Sequence, residues 1–165
     1  MFEFKPLSRD AIPAALEKAM RYRLLNEPAE AESISQDVLR ADPENQEALV
    51  ILLLAVTDRF SRNYAVGLTQ AQEILPHLRE PYDRAYYEGI IYERRAKVLL
   101  QRGGPGCGHG AYECLRHAMD FYEKAEELRS LGNDDALLRW NACARMIMSN
   151  NLSPRVEERV ELQSE

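Results

Sequence analysis

The chain has 165 residues, of which 45% are hydrophobic and 29% are charged, the composition of a globular domain with a buried core. Its formal net charge of -6 argues against a nucleic-acid partner, because a protein that neutralises phosphates needs a basic face. The longest apolar run, Ala48 to Val56, is far shorter than the roughly 20 residues of a membrane-spanning helix, so we expect no membrane partner.

Helical periodicity, interrupted by proline and glycine, predicts an all-α protein with seven helices. The predicted helices cover residues 10–25, 28–41, 44–58, 62–75, 82–102, 111–131 and 134–150. Asp10 is the predicted N-cap of the first helix. The third helix is apolar nearly all round, so we expect it to be the most buried. Residues 1–152 form one predicted domain, and residues 153–165 form a charged C-terminal tail.

Small and aromatic residues recur at fixed spacings along these helices. Within residues 12–45 the pattern consists of Ala19, Tyr22, Ala31 and the closing Ala41-Asp42-Pro43. A second unit begins near Gln46, and a third begins near Tyr82. The landmarks of the third unit are Gly89, Tyr92, Ala118, Tyr122 and Ala125. This pattern and its period of about 34 residues resemble the tetratricopeptide-repeat (TPR) family over residues 10–150.

The resemblance implies about three stacked antiparallel helix pairs in a right-handed α-solenoid, with a C-terminal capping helix that contains Trp140. Small residues let two helix backbones approach closely, and pairs stack because one pair cannot bury its apolar face alone. The second unit departs from the family pattern, since Leu53, Val56 and Tyr64 replace small and aromatic residues. The third unit carries extra residues between its helices.

The family holds peptides in a concave groove lined by the first helix of each pair. At groove positions we place Arg23, Tyr86, Ile90, Arg94 and Arg139. Aromatic side chains and arginines are frequent anchors of binding sites, although packing roles are the alternative for each of these residues. Residues 59–102 are the only net basic part of the chain, with eight Lys/Arg and five Asp/Glu. We therefore expect a protein or peptide partner with acidic and apolar residues.

Some relatives clamp the C-terminal carboxylate of a peptide with lysine and asparagine in their first helices. The corresponding positions here hold Leu16, Met20, Val50 and Leu54. These side chains cannot bind a carboxylate, so we expect no binding of that class of chaperone tail.

A glycine-rich stretch, Gly103 to Gly110, contains five glycines and precedes the predicted sixth helix. Its backbone N–H groups are able to converge on an anion, whereas a flexible connector is the alternative interpretation. Four potential zinc ligands also lie here: Cys107, His109, Cys114 and His117. Their spacing matches no zinc motif, and surface histidines with core thiols are the alternative. A metal- or anion-binding sensor based on residues 103–117 is therefore the second functional hypothesis.

Catalysis is not expected from this sequence. Cys107 and His109 are neighbours in a glycine-rich stretch, which is a poor frame for a preorganised nucleophile and base. We therefore predict a non-catalytic protein–protein interaction module without a cofactor. Three cysteines cannot all pair within the chain, and the N-terminal residues lack a secretory signal. These features predict reduced thiols and a cytoplasmic location.

Overall fold

The computed structural model describes residues 1–156, and most of these residues are helical. The α-helices are α1 (Ile12–Leu24), α2 (Pro28–Ala41), α3 (Gln46–Asp58), α4 (Tyr64–Ile74), α5 (Pro81–Arg102), α6 (Cys107–Leu128) and α7 (Asp135–Ser149). Within the described part of the chain there is no β-strand, which confirms the predicted all-α class. The same residues include no helix long and apolar enough to cross a membrane. Most of the predicted tail, residues 157–165, lies outside the described residues.

Local sequence chemistry accounts for most helix boundaries. Pro28 and Pro81 lie in the first turns of α2 and α5, where a missing amide hydrogen costs little. Asn45 caps α3, because its side-chain oxygen accepts a hydrogen bond from the backbone N–H of Ala48 at 2.9 Å. The predicted N-cap of α1 was wrong. Asp10 lies in a 3₁₀ turn before α1 and makes no side-chain capping bond.

The helices pack in chain order. Each α-helix contacts the next one along the chain, and α3 also contacts α1 and α5. The most extensive contact joins α5 and α6, which have 22 residues each. The contact between α4 and α5 is sparse by comparison. Residues of α1, α3 and α5 are therefore able to meet although they are far apart in the sequence.

Buried side chains form three clusters, centred on α1–α3, on α3–α5 and on α5–α7. The helix α3 contributes to the first two clusters through residues such as Ile51 and Leu53. Seven of its 13 residues are buried, a larger fraction than in any other α-helix of residues 1–156. This confirms the prediction from its apolar sequence that α3 is the most buried helix.

A glycine sets the close approach of α5 and α6. Gly89 in α5 lies against the ring of Tyr122 in α6, and Tyr122 is fully buried. A Cβ atom at position 89 would lie only 2.6 Å from Cε1 of Tyr122, so no side chain fits there. The missing side chain lets the tyrosine ring lie across α5 and extend its hydroxyl group into the interface.

The glycine-rich stretch is shorter as a loop than the sequence predicts. The helix α6 begins at Cys107 rather than at residue 111, so the turn comprises only residues 103–106. Gly110 packs tightly, since a Cβ atom there would lie 3.2 Å from Cδ1 of Leu99 in α5. Helix packing against α5 therefore outweighs the low helix propensity of Gly108 and Gly110.

Candidate functional site

Two arginines from different helices share the carboxylate of Asp58, the last residue of α3. Its Oδ2 accepts a hydrogen bond from Nε of Arg23 in α1 at 2.6 Å, and its Oδ1 lies 2.7 Å from Nη1 of Arg94 in α5. The side chains of Arg23 and Arg94 are 19% and 20% exposed. Solvent therefore reaches both guanidinium groups only in part.

Arg94 also binds the C-terminal end of α3. Its Nη1 donates to the carbonyl oxygen of Leu54 at 2.8 Å and to the hydroxyl group of Thr57. A cation at this end of a helix interacts favourably with the unpaired carbonyl groups and the helix dipole. Burial nevertheless lowers the pKa of Arg94, and Asp58 only partly opposes that effect, while the positive charge of Arg23 adds to it. The carboxylates near Arg94 therefore do not fully offset the cost of burying its positive charge.

Glu93, the residue before Arg94, is fully buried and joins three helices. It accepts hydrogen bonds from the hydroxyl group of Tyr122 in α6 at 2.7 Å and from Nε of Arg139 in α7 at 3.0 Å. Nζ of Lys97 lies 2.8 Å from its Oε1. Burial alone would raise the pKa of Glu93, but these partners, Lys97 first among them, outweigh burial and lower it. The carboxylate is therefore ionised where α5, α6 and α7 meet.

These contacts form a continuous set across α1, α3, α5 and α7, because Glu93 and Arg94 adjoin in the chain. We define the arginine strip as Arg23, Asp58, Glu93, Arg94 and Arg139. With Lys97 beside Glu93, four cationic side chains meet two carboxylates, which leaves two positive charges in excess. The strip is therefore a basic region of a chain that is acidic as a whole.

The other two predicted groove residues differ in exposure. Tyr86 is half-buried, and its ring centroid lies 5.1 Å from that of Tyr87 and 5.7 Å from that of Tyr82. Burial raises the pKa of Tyr86 to about 12, so its hydroxyl group stays protonated at neutral pH. Ile90 lies in the core cluster of α5–α7 and is 6% exposed. Its side chain therefore packs inside the protein, with little surface for a partner.

The four potential zinc ligands have different surroundings. The thiol of Cys107 donates to the carbonyl oxygen of Gly103 at 2.8 Å, and Nδ1 of His109 lies 2.9 Å from the carbonyl oxygen of Ser153. Cys114 is buried in the core, and the ring of His117 contacts Tyr92 on the outside of α6. Within residues 1–156 no group of three or more His, Cys, Asp or Glu side chains is placed to hold a metal ion. The structure does not assemble these four residues into one ligand set.

Sequence reasoning identified the three arginines but missed the carboxylates that hold them. One signal was present in the spacing. Asp58 follows Arg23 by 35 residues, and Arg94 follows Asp58 by 36 residues, both close to the predicted repeat period of about 34. Equivalent positions of successive units lie side by side in a repeat array, so an alternation of positive, negative and positive charge predicts this contact.

Comparisons of the chain with protein-family models, with curated proteins and with solved structures found no match.

Proposed function

We propose that the chain is a non-catalytic protein-interaction module, built as a TPR-like array of helix pairs, which holds a segment of a partner protein. The observation that carries this proposal is the contact from Arg23 through Asp58 to Arg94. These residues are the twelfth, thirteenth and fourteenth of α1, α3 and α5. Such regular placement supports an array in which the first helices of successive pairs align on one face.

The chemistry of the arginine strip favours an acidic partner. Together with Lys97, the strip has two positive charges in excess, and these attract carboxylates over a distance of about 8 Å at physiological ionic strength. Leu24 and Leu25, which directly follow Arg23, are largely exposed. An extended or helical segment with acidic and apolar residues would match both features. Its apolar residues would supply affinity, and the arginines would set register and speed association.

The state of the buried thiols supports a role without catalysis. Burial raises the pKa of Cys143 to about 12, and it also raises the pKa of Cys114. A thiol must lose its proton to act as a nucleophile, so burial disfavours this reaction at both cysteines.

Selection of binding peptides against the whole chain tests the proposal. Peptides enriched from a random display library would be added to the protein, and hydrogen exchange would map the protected amides. We expect protection at the ends of α1 and α3 and in the middle of α5, with a scrambled peptide as control. Protection confined to α2, α4 and α6 would contradict the proposed face.

A further inference from the structure

The guanidinium groups of Arg23 and Arg94 retain unused donors. Each guanidinium carries five N–H groups in a rigid planar fork. All hydrogen bonds that Arg94 makes with the described residues come from Nη1, and those of Arg23 come from Nε and, weakly, from Nη1 towards the sulfur of Met20 at 3.8 Å. Among residues 1–156, no acceptor forms a hydrogen bond with Nη2 of either arginine or with Nε of Arg94. The guanidinium N–H groups of Arg23 and Arg94 that do not bind Asp58 are therefore available to a second oxyanion.

The charge balance distinguishes this pair from the rest of the strip. Burial alone would lower the pKa of Arg139, but Glu93 outweighs burial and raises it. The pKa of Arg94 is lowered instead, by burial first and also by Arg23 and Arg139, against Asp58 and Glu93. Asp58 cannot neutralise two arginines at once. A further negative charge is therefore missing beside Arg23 and Arg94.

We propose that Arg23 and Arg94 form an oxyanion subsite that takes one carboxylate of a bound acidic segment, through the N–H groups that Asp58 leaves open. This inference rests on the proposed function, and it specifies that the partner segment carries a carboxylate where it contacts Arg23 and Arg94. Arg23 lies in the last turn of α1, and Arg94 lies in the middle of α5, beside the last turn of α3. The exposed Leu24 beside Arg23 favours an apolar residue next to the acidic one.

Titration with short blocked peptides tests the subsite without knowledge of the natural partner. The probes are Leu-Glu-Leu-Glu, its amide counterpart Leu-Gln-Leu-Gln, and inorganic phosphate. Nuclear magnetic resonance of the whole labelled chain would follow the Nε–H signals of Arg23 and Arg94 and the backbone amides near Asp58. We expect saturable shifts with the glutamate peptide and none with the glutamine peptide. Saturation by phosphate alone would overturn the assignment to a partner carboxylate.

A matched pair of variants locates the effect. Arg23→Gln removes one arm of the subsite, while Arg94 still holds Asp58 and the end of α3. Arg21→Gln removes the same charge from α1 at an exposed position, where Arg21 pairs with Glu17. We expect Arg23→Gln to weaken binding of the glutamate peptide by about tenfold, the effect of one hydrogen bond between charged groups. Arg21→Gln should retain wild-type affinity.

Equal affinity of the two variants would overturn the subsite, provided that thermal unfolding shows both to be folded. The proposed function has a separate test, because peptides selected from a random library can bind the same face without a carboxylate. Selected peptides that protect α1, α3 and α5, together with an inert glutamate peptide, would refute the subsite and support the interaction module.

Discussion

Gly89 is a single residue whose missing side chain decides how closely α5 and α6 pack. Replacement by alanine would place a Cβ atom 2.6 Å from Cε1 of Tyr122, which is buried and hydrogen-bonded to Glu93. Overpacking costs about 1–3 kcal/mol, which exceeds the roughly 1 kcal/mol that alanine gains in helix propensity. We therefore expect Gly89→Ala to lower the free energy of unfolding in chemical denaturation.

Gly108→Ala is the matched control, since this glycine is also helical. The nearest atom to a Cβ at position 108 is Cδ2 of Leu152 at 3.8 Å, an ordinary contact distance. Alanine should therefore be neutral or stabilise the protein by up to about 1 kcal/mol. An equal effect of the two substitutions would show that the contact between Gly89 and Tyr122 does not limit packing.

The carboxylate of Glu93 makes stability depend on pH. Its pKa is lowered from the ordinary value of 4.5 by Lys97, Tyr122 and Arg139, which together outweigh burial. A depressed pKa contributes stability above the unfolded-state value, and this contribution is lost as the pH falls through the folded-state value. We expect Glu93→Gln to destabilise the protein strongly at pH 7 and progressively less below pH 4.5. Urea unfolding across this range measures the difference.

Glu17→Gln provides the control for that series. Glu17 pairs with Arg21 on the exposed side of α1, and such a surface pair contributes at most about 1 kcal/mol. The free energy of unfolding of Glu17→Gln should follow that of the wild type at every pH. If the free energies of unfolding of Glu93→Gln and the wild type differed by the same amount from pH 7 to pH 3, folding would not lower the pKa of Glu93 from its ordinary value of 4.5.

At the scale of elements, periodicity and punctuation predicted the seven helices within a few residues. The boundaries at Pro28 and Asp42 were visible because proline and capping chemistry act locally. The start of α6 at Cys107 was not visible in the sequence, because glycine normally disfavours a helix. Only the tertiary contact of Gly110 with Leu99 shows why the backbone is helical there. Local rules therefore failed at the point where packing between α5 and α6 decides the conformation.

The burial of α3 leads to a prediction for this element. Leu53 is fully buried between α3, α4 and α5, so Leu53→Ala should cost about 2–5 kcal/mol through lost transfer energy and a cavity. Leu52 is only partly buried, so Leu52→Ala should lower the free energy of unfolding by less than Leu53→Ala. Leu138 in α7 is 60% exposed, and Leu138→Ala should change stability by under about 0.5 kcal/mol. A larger loss of stability for Leu138→Ala than for Leu53→Ala in chemical denaturation would contradict this account of the core.

At the scale of the whole molecule, the sequence analysis named three arginines but not the carboxylates that they contact. The resemblance to the TPR family placed Arg23, Arg94 and Arg139 in a predicted groove. Their engagement by Asp58 and Glu93 depends on contacts across 35 and 46 residues, which helical periodicity does not report. Consequently Arg94→Glu is a poor probe of binding, because it would also place a negative charge at the end of α3 and repel Asp58. Arg23→Gln tests the same face with less damage to the fold.

The uneven packing of the helices predicts uneven stability along the chain. The helix α4 has 11 residues, three of them buried, and contacts α5 sparsely, whereas α5 and α6 share the largest interface. In the proposed stack of helix pairs, local stability is the sum of contributions from each pair and its neighbours. We therefore expect α4 to open at a lower free energy than α5 and α6 in native-state hydrogen exchange.

Arg94 allows that opening to remain local, because it ties the end of α3 to α5 without any contact from α4. The amides of α4 should then exchange early while those of α3 and α5 stay protected. Equal protection of α4 and α6 would instead indicate one cooperative unit. A peptide bound at the arginine strip should slow exchange in α1, α3 and α5 and leave α4 unchanged, because α4 contributes no residue to the strip. Increased protection of α4 with the peptide would place the ligand on a different surface.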